Sequence, residues 1–185
     1  MSKSLTIVGI AGSLRKESFN KQLLKAAGKL LPNDVQFTIA DISSVPLYNQ
    51  DLEDDFPETV INLKRTVETA DALIFSTPEY NGSIPGVLKN VIDWLSRPSG
   101  HSSLNGKPVG IIGGTPGMFG AVHAQMHLRQ ILSLMNMHVI PQPLVLVGQI
   151  QNKFDVEGRL TDITTQNIMQ KHLDRLVNVA KQYKR

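Results

Sequence analysis

The stretch from Asp71 to Trp94 constrains the fold of this chain more than any other part of the sequence. Residues 72–76 form a short apolar run, which is typical of a strand buried on both faces. Residues 77–82 are rich in proline, asparagine and glycine, so the chain must turn there. Apolar residues then recur at helical spacing, and we expect Ser83 to be the N-cap of this helix. The loop of this strand–loop–helix unit lies at the carboxyl end of a strand, where open α/β sheets bind their ligands.

The same alternation of strand and helix patterns continues along the whole chain. Strands are predicted at 5–11, 35–40, 72–76 and 109–112, and in a last segment, 139–147, that contains two prolines. Helices are predicted at about 18–31, 57–70, 83–95, 121–136 and 161–183. This order indicates a parallel sheet covered on both faces, and right-handed crossovers make it doubly wound. Because no repeat or linker interrupts it, we expect a single domain over residues 1–185.

The sequence makes more specific predictions for two helices and one connection. In the helix at 121–136 the apolar positions are Val122, Met126, Ile131, Leu134 and Met135. In the terminal helix the predicted buried stripe comprises Ile168, Leu173, Leu176, Val177 and Ala180. The connection at 41–56 is long for a compact domain, and such loops tend to be functional or mobile.

Composition excludes several classes of protein. No apolar run approaches the roughly 20 residues of a membrane span, and the N-terminal Met1-Ser2-Lys3-Ser4 leads directly into the first strand without a signal-peptide pattern. The absence of cysteine excludes disulfides, thiolate nucleophiles and cysteine-ligated metals. We therefore expect a cytoplasmic protein that does not associate with membranes.

The charge pattern does not favour nucleic-acid binding. The formal net charge is only +3, and the basic residues are scattered apart from Lys181, Lys184 and Arg185 at the end of the chain. No basic stripe interleaved with aromatic residues is present in the sequence. We therefore expect small-molecule partners and no nucleic acid.

The loop after the first strand suits a phosphate group. It offers the side chains of Ser13, Ser18 and Asn20, the cation of Arg15, and the N–H groups of the helix that follows. It matches neither the P-loop nor the G-x-G-x-x-G fingerprint. A polar loop that merely caps a helix is an equally good interpretation of this segment taken alone.

The loops after the third and fourth strands suit a planar ring. Residues 78–82 can place a flat backbone face beside such a ligand, and the four glycines of 113–120 let the backbone approach it closely. A tight turn and a flexible connection are the simpler interpretations. Because a doubly wound sheet brings these carboxyl ends together, the three loops jointly favour a phosphate-bearing ring system.

Three motifs in this chain occur together in one known family. They are Gly12-Ser-Leu-Arg-x-x-Ser-x-Asn20, Thr77-Pro-Glu-Tyr-Asn-Gly-Ser-Ile-Pro-Gly-x-Leu-Lys-Asn-x-Ile-Asp-Trp94 and the glycine loop at Gly113. In order and spacing the sequence resembles the NADPH-dependent FMN reductase family, and within it the chromate/quinone reductase branch. The resemblance implies a flavodoxin-like, doubly wound, five-stranded parallel sheet, FMN as cofactor and NAD(P)H as co-substrate.

The resemblance also implies roles for individual residues. The FMN phosphate and ribityl chain would be bound by Ser13, Arg15, Ser18, Phe19 and Asn20. The isoalloxazine would be lined, mostly by backbone, by Pro78, Glu79, Tyr80 and Asn81. Its other side or its dimethylbenzene edge would be contacted by Gly114, Thr115 and Gly117. Apart from the resemblance, Tyr80 and Arg97 are the candidate substrate-binding residues. A structural aromatic is an equally good interpretation of Tyr80, and an ion pair at the surface or at a subunit interface is the commoner role of such an arginine.

The activity implied is a two-step one in which the flavin carries the chemistry, so no catalytic side chain is expected. Hydride would pass from NAD(P)H to the flavin, the nicotinamide would leave, and a quinone, azo compound or chromate would then take the electrons. We expect a homodimer or homotetramer whose partner completes the site.

Other interpretations of the sequence stay open at this point. A non-catalytic flavodoxin-type electron carrier shares the fold, although such carriers are usually acidic and this chain is basic. A Rossmann dehydrogenase would use Asp41 as a ribose ligand, but the glycine fingerprint is missing. His123 and His127 have the spacing of a zinc protease, but position 124 is alanine where H-E-x-x-H requires glutamate, so we expect no metal.

Overall fold

The computed structural model describes residues 4–184, so that Met1–Lys3, in the predicted N-terminal segment, and Arg185, in the predicted basic tail, lie outside the described residues. In chain order the elements are β1 (Leu5–Ala11), α1 (Phe19–Leu30), β2 (Val35–Ile39), α2 (Glu58–Glu68), β3 (Ala72–Thr77), α3 (Gly86–Leu95), β4 (Pro108–Gly114), α4 (Val122–Leu134), β5 (His138–Val139), β6 (Val145–Val147) and α5 (Ile163–Tyr183). Short 3₁₀ turns lie at Gln50–Leu52 and Ile150–Asn152.

The strands form one parallel sheet in the order β2-β1-β3-β4-β5, with β6 also paired to β4. This is the doubly wound, flavodoxin-like arrangement, and the predicted fold class is confirmed. Helices α1 and α5 pack on one face of the sheet, and α2, α3 and α4 pack on the other. Strand β3 is buried along its entire length, as its apolar sequence predicts.

The predicted last strand is two strands that share the fifth position of the sheet. β5 pairs with the start of β4 and β6 pairs with its end. The residues between them include Pro141 and Pro143, which lack the backbone N–H that a sheet requires, so the pairing is interrupted there.

Three side chains hold this interruption in place. Arg129 Nη1 donates to the carbonyl of Ile140 at 2.8 Å, and Arg175 Nη1 donates to that of Gln142 at 2.9 Å. His172 Nδ1 lies 2.8 Å from the carbonyl oxygen of Pro143, so this nitrogen carries the hydrogen. The imidazole is buried, and desolvation lowers the pKa of His172 to about 4.

We expect His172 to make the fold sensitive to mild acid. The ordinary pKa of the imidazole is 6.5 and its folded pKa is about 4, so between these values the unfolded chain binds more protons. Stability contributed by the neutral ring is complete above pH 6.5 and is lost as the pH falls, by up to about 3 kcal/mol. Urea unfolding at pH 7.5 and pH 4.5 measures this loss. The His172→Gln variant should show a much smaller difference, and an unchanged difference would contradict the assignment.

The N-cap predicted for α3 is wrong. The helix begins at Gly86 with Pro85 as its N-cap residue, and no side chain caps it. Ser83 instead exchanges two backbone hydrogen bonds with Tyr80, because the chain completes a tight turn before the helix starts. Proline in this position is well placed, since its missing N–H would have no helical partner.

Several apolar residues of α4 and α5 do not face the core. Met126, Leu134 and Ile168 are exposed by 43%, 80% and 37%, so the buried position predicted for Ile168 is wrong. The buried face of α4 consists instead of Ala124, Gln125, Leu128 and Leu132. Helical spacing alone does not distinguish these two faces, since each contains apolar residues.

The long connection predicted at 41–56 runs to residue 57, where α2 follows, and this connection at 41–57 is fastened to α3. Asn90 accepts from the N–H of Tyr48 at 2.7 Å and donates to the carbonyl of Pro46 at 2.8 Å. Trp94 Nε1 donates to the same carbonyl at 2.9 Å, and its ring meets Tyr48 edge-on. No helix within residues 4–184 has both the length and the apolar character needed to cross a membrane.

Candidate functional site

The loops after β1, β3 and β4 lie next to one another because these three strands are neighbours in the sheet. Ala11 is in register with Ser76, and Thr77 with Gly113, so the strands end at the same edge. The N–H of Gly12 donates to the carbonyl of Ser76 at 2.8 Å and joins the first two loops directly. The predicted meeting of the three loops is therefore a feature of the fold.

The loop between β1 and α1 presents a set of free donors. Ser13 and Ser18 are buried, and each hydroxyl oxygen accepts a backbone N–H, from Arg15 and Lys21 respectively. Within residues 4–184, neither hydroxyl donates to a protein acceptor, and the N–H groups of residues 17–20 have none either. Arg15 is exposed and makes no ion pair within residues 4–184. Hydroxyls, helix N–H groups and a cation together suit an anion such as a phosphate.

Asn20 holds the loops to one another through its side chain. Its Nδ2 donates to the carbonyl of Gly114 at 3.0 Å, and its Oδ1 accepts from the N–H of Gly114 and from the hydroxyl of Ser76, both at 3.1 Å. The side chain is buried and its oxygen is occupied by protein donors. The backbone N–H of Asn20 and the second hydrogen of Nδ2, which makes one hydrogen bond within residues 4–184, are the donors left for a phosphate. Phe19, beside it, is half-buried and stacks on Phe154.

The loop after β3 contains a two-residue turn. Tyr80 and Ser83 exchange backbone hydrogen bonds of 3.0 Å, and Asn81 and Gly82 between them have φ values of 52° and 69°. Asparagine followed by glycine is the preferred sequence for such a left-handed pair. Pro78 is buried and Tyr80 is half-exposed, so the turn presents one wall of the edge to solvent.

The side chain of Glu79 points away from the turn and contacts α4. Its Oε2 accepts from the N–H of Ala124 at 3.0 Å, and its Oε1 lies 3.1 Å from Nδ1 of His123. Burial raises the pKa of the Glu79 carboxyl, but the hydrogen bonds from Ala124 and His123 outweigh it and the net shift is downward. A turn further along α4, Nδ1 of His127 lies 3.0 Å from the hydroxyl of Ser83.

These contacts of Glu79 and Ser83 were not predicted from the sequence. One signal was available, since α4 begins after Gly120-Ala121 and lacks a serine, threonine, aspartate or asparagine at its N-cap. Without such a cap, a backbone N–H of the first turn of α4 needs an acceptor from another part of the chain. The sequence does not show which residue provides that acceptor.

The glycine loop is packed against the segment 145–150. The N–H of Thr115 donates to the carbonyl of Val147 at 3.1 Å, and the N–H of Gln149 donates to that of Gly117 at 2.9 Å. A Cβ on Gly114 would lie 2.7 Å from the carbonyl oxygen of Val147, so this glycine serves the packing of the protein itself. A Cβ on Gly117 would meet only the hydroxyl of Thr115, at 3.8 Å, among the described residues, and Gly117 is exposed.

Arg97 lies at the other end of α3 from this edge. It follows the last turn of the helix, whereas Tyr80 precedes the first turn. Its Nε is 3.4 Å from Oε1 of Glu53, and its guanidinium lies over the ring of Tyr48 at 5.6 Å. Within one chain the fold therefore separates Arg97 from the three loops and places it in an ion pair.

The sequence of this chain matches a family model, described as NADPH-dependent FMN reductase, over residues 5–152, which include all three loops. The chain belongs to the NADPH-dependent FMN reductase family. It is accordingly an oxidoreductase with FMN as cofactor and NAD(P)H as co-substrate, as the sequence motifs predicted.

Relatives of this reductase are similar over nearly their whole lengths. It is 44% identical to an NAD(P)H-dependent FMN reductase of Pseudomonas aeruginosa, with 95% of each chain covered. It is 41% identical to a 2-hydroxy-1,4-benzoquinone reductase of a Burkholderia species, with 93% of this chain and 94% of that one covered. The solved structure of a flavoenzyme NAD(P)H:(acceptor) oxidoreductase of Paracoccus denitrificans matches with a TM-score of 0.87 and 37% identity, covering 97% and 98% of the chains.

Proposed function

We propose that this reductase binds FMN in the three loops at the carboxyl edge of the sheet and passes electrons from NAD(P)H to quinones. The main support is the set of donors between β1 and α1, where two buried hydroxyls and a run of N–H groups find no acceptor within the described residues. The quinone as acceptor is supported by the Burkholderia relative, a 2-hydroxy-1,4-benzoquinone reductase.

The residues at this edge fit a flavin mononucleotide by the chemistry of their donors. The phosphate would be bound by the hydroxyls of Ser13 and Ser18, by Arg15, and by the N–H groups of Phe19 and Asn20. The ring would lie between two backbone walls. The first is formed by Pro78, Glu79, Tyr80 and Asn81, and the second by Gly114, Thr115 and Gly117.

FMN, when bound, supplies the redox chemistry by accepting a hydride and passing two electrons on. The chain's own contribution is to bind and orient. Gly117 is exposed and its N–H makes no hydrogen bond within residues 4–184, so it can donate to negative charge on the ring. Tyr80, half-exposed beside the turn, can cover a nicotinamide or quinone ring.

We further propose that the reaction is ping-pong, with both substrates using the same exposed face. Azo compounds and chromate are additional candidate acceptors. The protein forms a homodimer or homotetramer in this proposal, and its location is cytoplasmic. Arg97 would reach a substrate only if a partner subunit brought it to the edge, because its own chain places it beyond α3.

One experiment tests this function against the electron-carrier alternative. The purified protein is reconstituted with FMN, separated from free flavin, and titrated anaerobically with NADPH or NADH while its absorbance is recorded. Bleaching by NAD(P)H and recovery on addition of 1,4-benzoquinone are expected. A protein that retains FMN but is not reduced by NAD(P)H would be a carrier, and the enzyme function would be overturned.

Arg15→Ala should weaken FMN binding by more than about tenfold, because a charge-assisted hydrogen bond to the phosphate is lost. The dissociation constant is measured by the quenching of flavin fluorescence as apoprotein is added. Lys16→Ala, which removes the neighbouring exposed cation, serves as the control and should change the constant by less than about twofold. Equal effects of the two variants would show that Arg15 contributes only general charge.

A further inference from the structure

We propose that Glu79 is a positioning residue that sets the spacing of the two walls of the FMN site by capping α4 from the opposite wall. Glu79 belongs to the turn after β3, and α4 begins directly after the glycine loop. The inference rests on the proposed function, since it concerns how that site is held. It assigns to the Glu79 side chain a role distinct from contact with the flavin.

The need for such a cap arises from the start of α4. The N-cap position is occupied by Ala121, which has φ 65° and no side chain that can accept a hydrogen bond. The first N–H groups of a helix have no partners within the helix and require an acceptor. In this chain the acceptor for Ala124 comes from Glu79, 45 residues away in sequence.

The carboxylate is well suited to this position. Its two oxygens bind adjacent residues of the first turn of α4, the N–H of Ala124 and the ring of His123. The side chain of Glu79 is 18% exposed, so its contact with Ala124 is partly shielded from water, whereas the side chain of His123 is 64% exposed. A negative charge at a helix N-terminus is also favoured by the helix dipole.

A second contact, exposed at the surface, joins the same two elements. The hydroxyl of Ser83 lies 3.0 Å from His127, one turn further along the same helix. Glu79 and Ser83 flank the two-residue turn at Asn81 and Gly82, so α4 holds both sides of that turn. The backbone facing the proposed ring is therefore placed by α4 as well as by β3.

The structure also explains why the walls would move without Glu79. The residues between β4 and α4 include Met118 and Phe119, which are exposed by 79% and 75% and contribute little packing to the loop. If the first turn of α4 lost its acceptor, the loop's attachment at that end would weaken while its contacts to residues 145–150 remained. The wall containing Gly117 would then be less well fixed relative to the turn.

The test measures FMN affinity of the apoprotein alongside its thermal stability. Glu79→Ala should raise the FMN dissociation constant by about tenfold, a factor expected for the loss of a helix cap at a binding site. Glu79→Gln keeps an oxygen acceptor for Ala124 and should raise it by less than about threefold. The side chain of Glu79→Asp is one methylene shorter, so its carboxylate falls short of Ala124 and this variant should behave like Glu79→Ala. If Glu79→Ala does not fold, Glu79→Asp provides the same test.

Asp162→Ala is the matched control. Asp162 caps α5 by accepting from the N–H of Thr165 at 2.8 Å, so this variant also loses a carboxylate cap. Its melting temperature should fall as much as that of Glu79→Ala, with FMN affinity changed by less than about twofold. Thermal shift of each apoprotein, with and without FMN, separates the loss of stability from the loss of binding.

Two further results are distinguishable. Unchanged FMN affinity in Glu79→Ala and Glu79→Asp, with Arg15→Ala weakened, would overturn the positioning role and leave the FMN site in place. Failure of the unaltered protein to bind FMN would overturn the proposed site and this inference together.

Discussion

Asn20→Ala is expected to lower the free energy of unfolding by about 3 kcal/mol, since it removes three hydrogen bonds and leaves buried backbone groups without partners. The amide of Asn20 binds both the N–H and the carbonyl of Gly114 and also the hydroxyl of Ser76. Water cannot easily replace these contacts because both Gly114 and Ser76 are buried. Urea unfolding of the apoprotein at pH 7.5 measures the loss.

Asn62→Ala provides the control for this prediction. Asn62 lies in α2 and is exposed, so its replacement should change the free energy of unfolding by less than about 0.5 kcal/mol. Asn20→Asp should be at least as destabilising as Asn20→Ala, because a buried carboxylate cannot donate to the carbonyl of Gly114. A stable Asn20→Ala variant with impaired FMN binding would instead favour a direct contact between this side chain and the phosphate.

Trp94→Ala is expected to cost about 4 kcal/mol of stability, through loss of the largest fully buried side chain and of its hydrogen bond to Pro46. The cavity would open between α3 and the connection at 41–57, where Tyr48 and Phe56 meet the indole ring edge-on. We therefore expect the variant to become sensitive to proteolysis within that connection. Urea unfolding and limited proteolysis followed by mass spectrometry measure the two effects.

Trp94→Phe separates the two contributions. Phenylalanine keeps most of the aromatic packing but removes the N–H donor, so about 1–2 kcal/mol should be lost. Cleavage in the connection should remain close to that of the unaltered protein. If Trp94→Phe and Trp94→Ala lost the same stability, the hydrogen bond to Pro46 rather than the packing would hold the connection.

The motif from residue 77 to residue 94 serves two tasks, which the sequence alone did not separate. Its first part forms the turn at the carboxyl edge, as predicted. In its second part Asn90 and Trp94 bind the connection at 41–57. The length of that connection suggested a functional or mobile loop. The sequence did not show the fastening, because the two segments are more than 40 residues apart.

For the site as well, the sequence predicted one part correctly and the structure decided the rest. The sequence placed the three loops at one edge correctly, since their position follows from the order of the strands. Arg97 was assigned to substrate from its charge and its position after the α3 helix, and the length of α3 carries it away from the edge of its own chain. For Asn20 the residue was identified, but its side chain binds Gly114 and Ser76, and its contact with the phosphate stays a prediction.

The amino-acid sequence by itself determined the alternation of strands and helices, the parallel sheet, the family and the three loops. These depend on local periodicity and on short motifs, each of which is contained within a stretch of about 10 to 20 residues. Only the tertiary structure decided that Glu79 caps α4, that Asn20 joins β3 to β4, and which face of α4 is buried. Each of these depends on contacts between residues distant in sequence. The packing of whole helices and strands, rather than the neighbouring residues in sequence, decides which residues make such contacts.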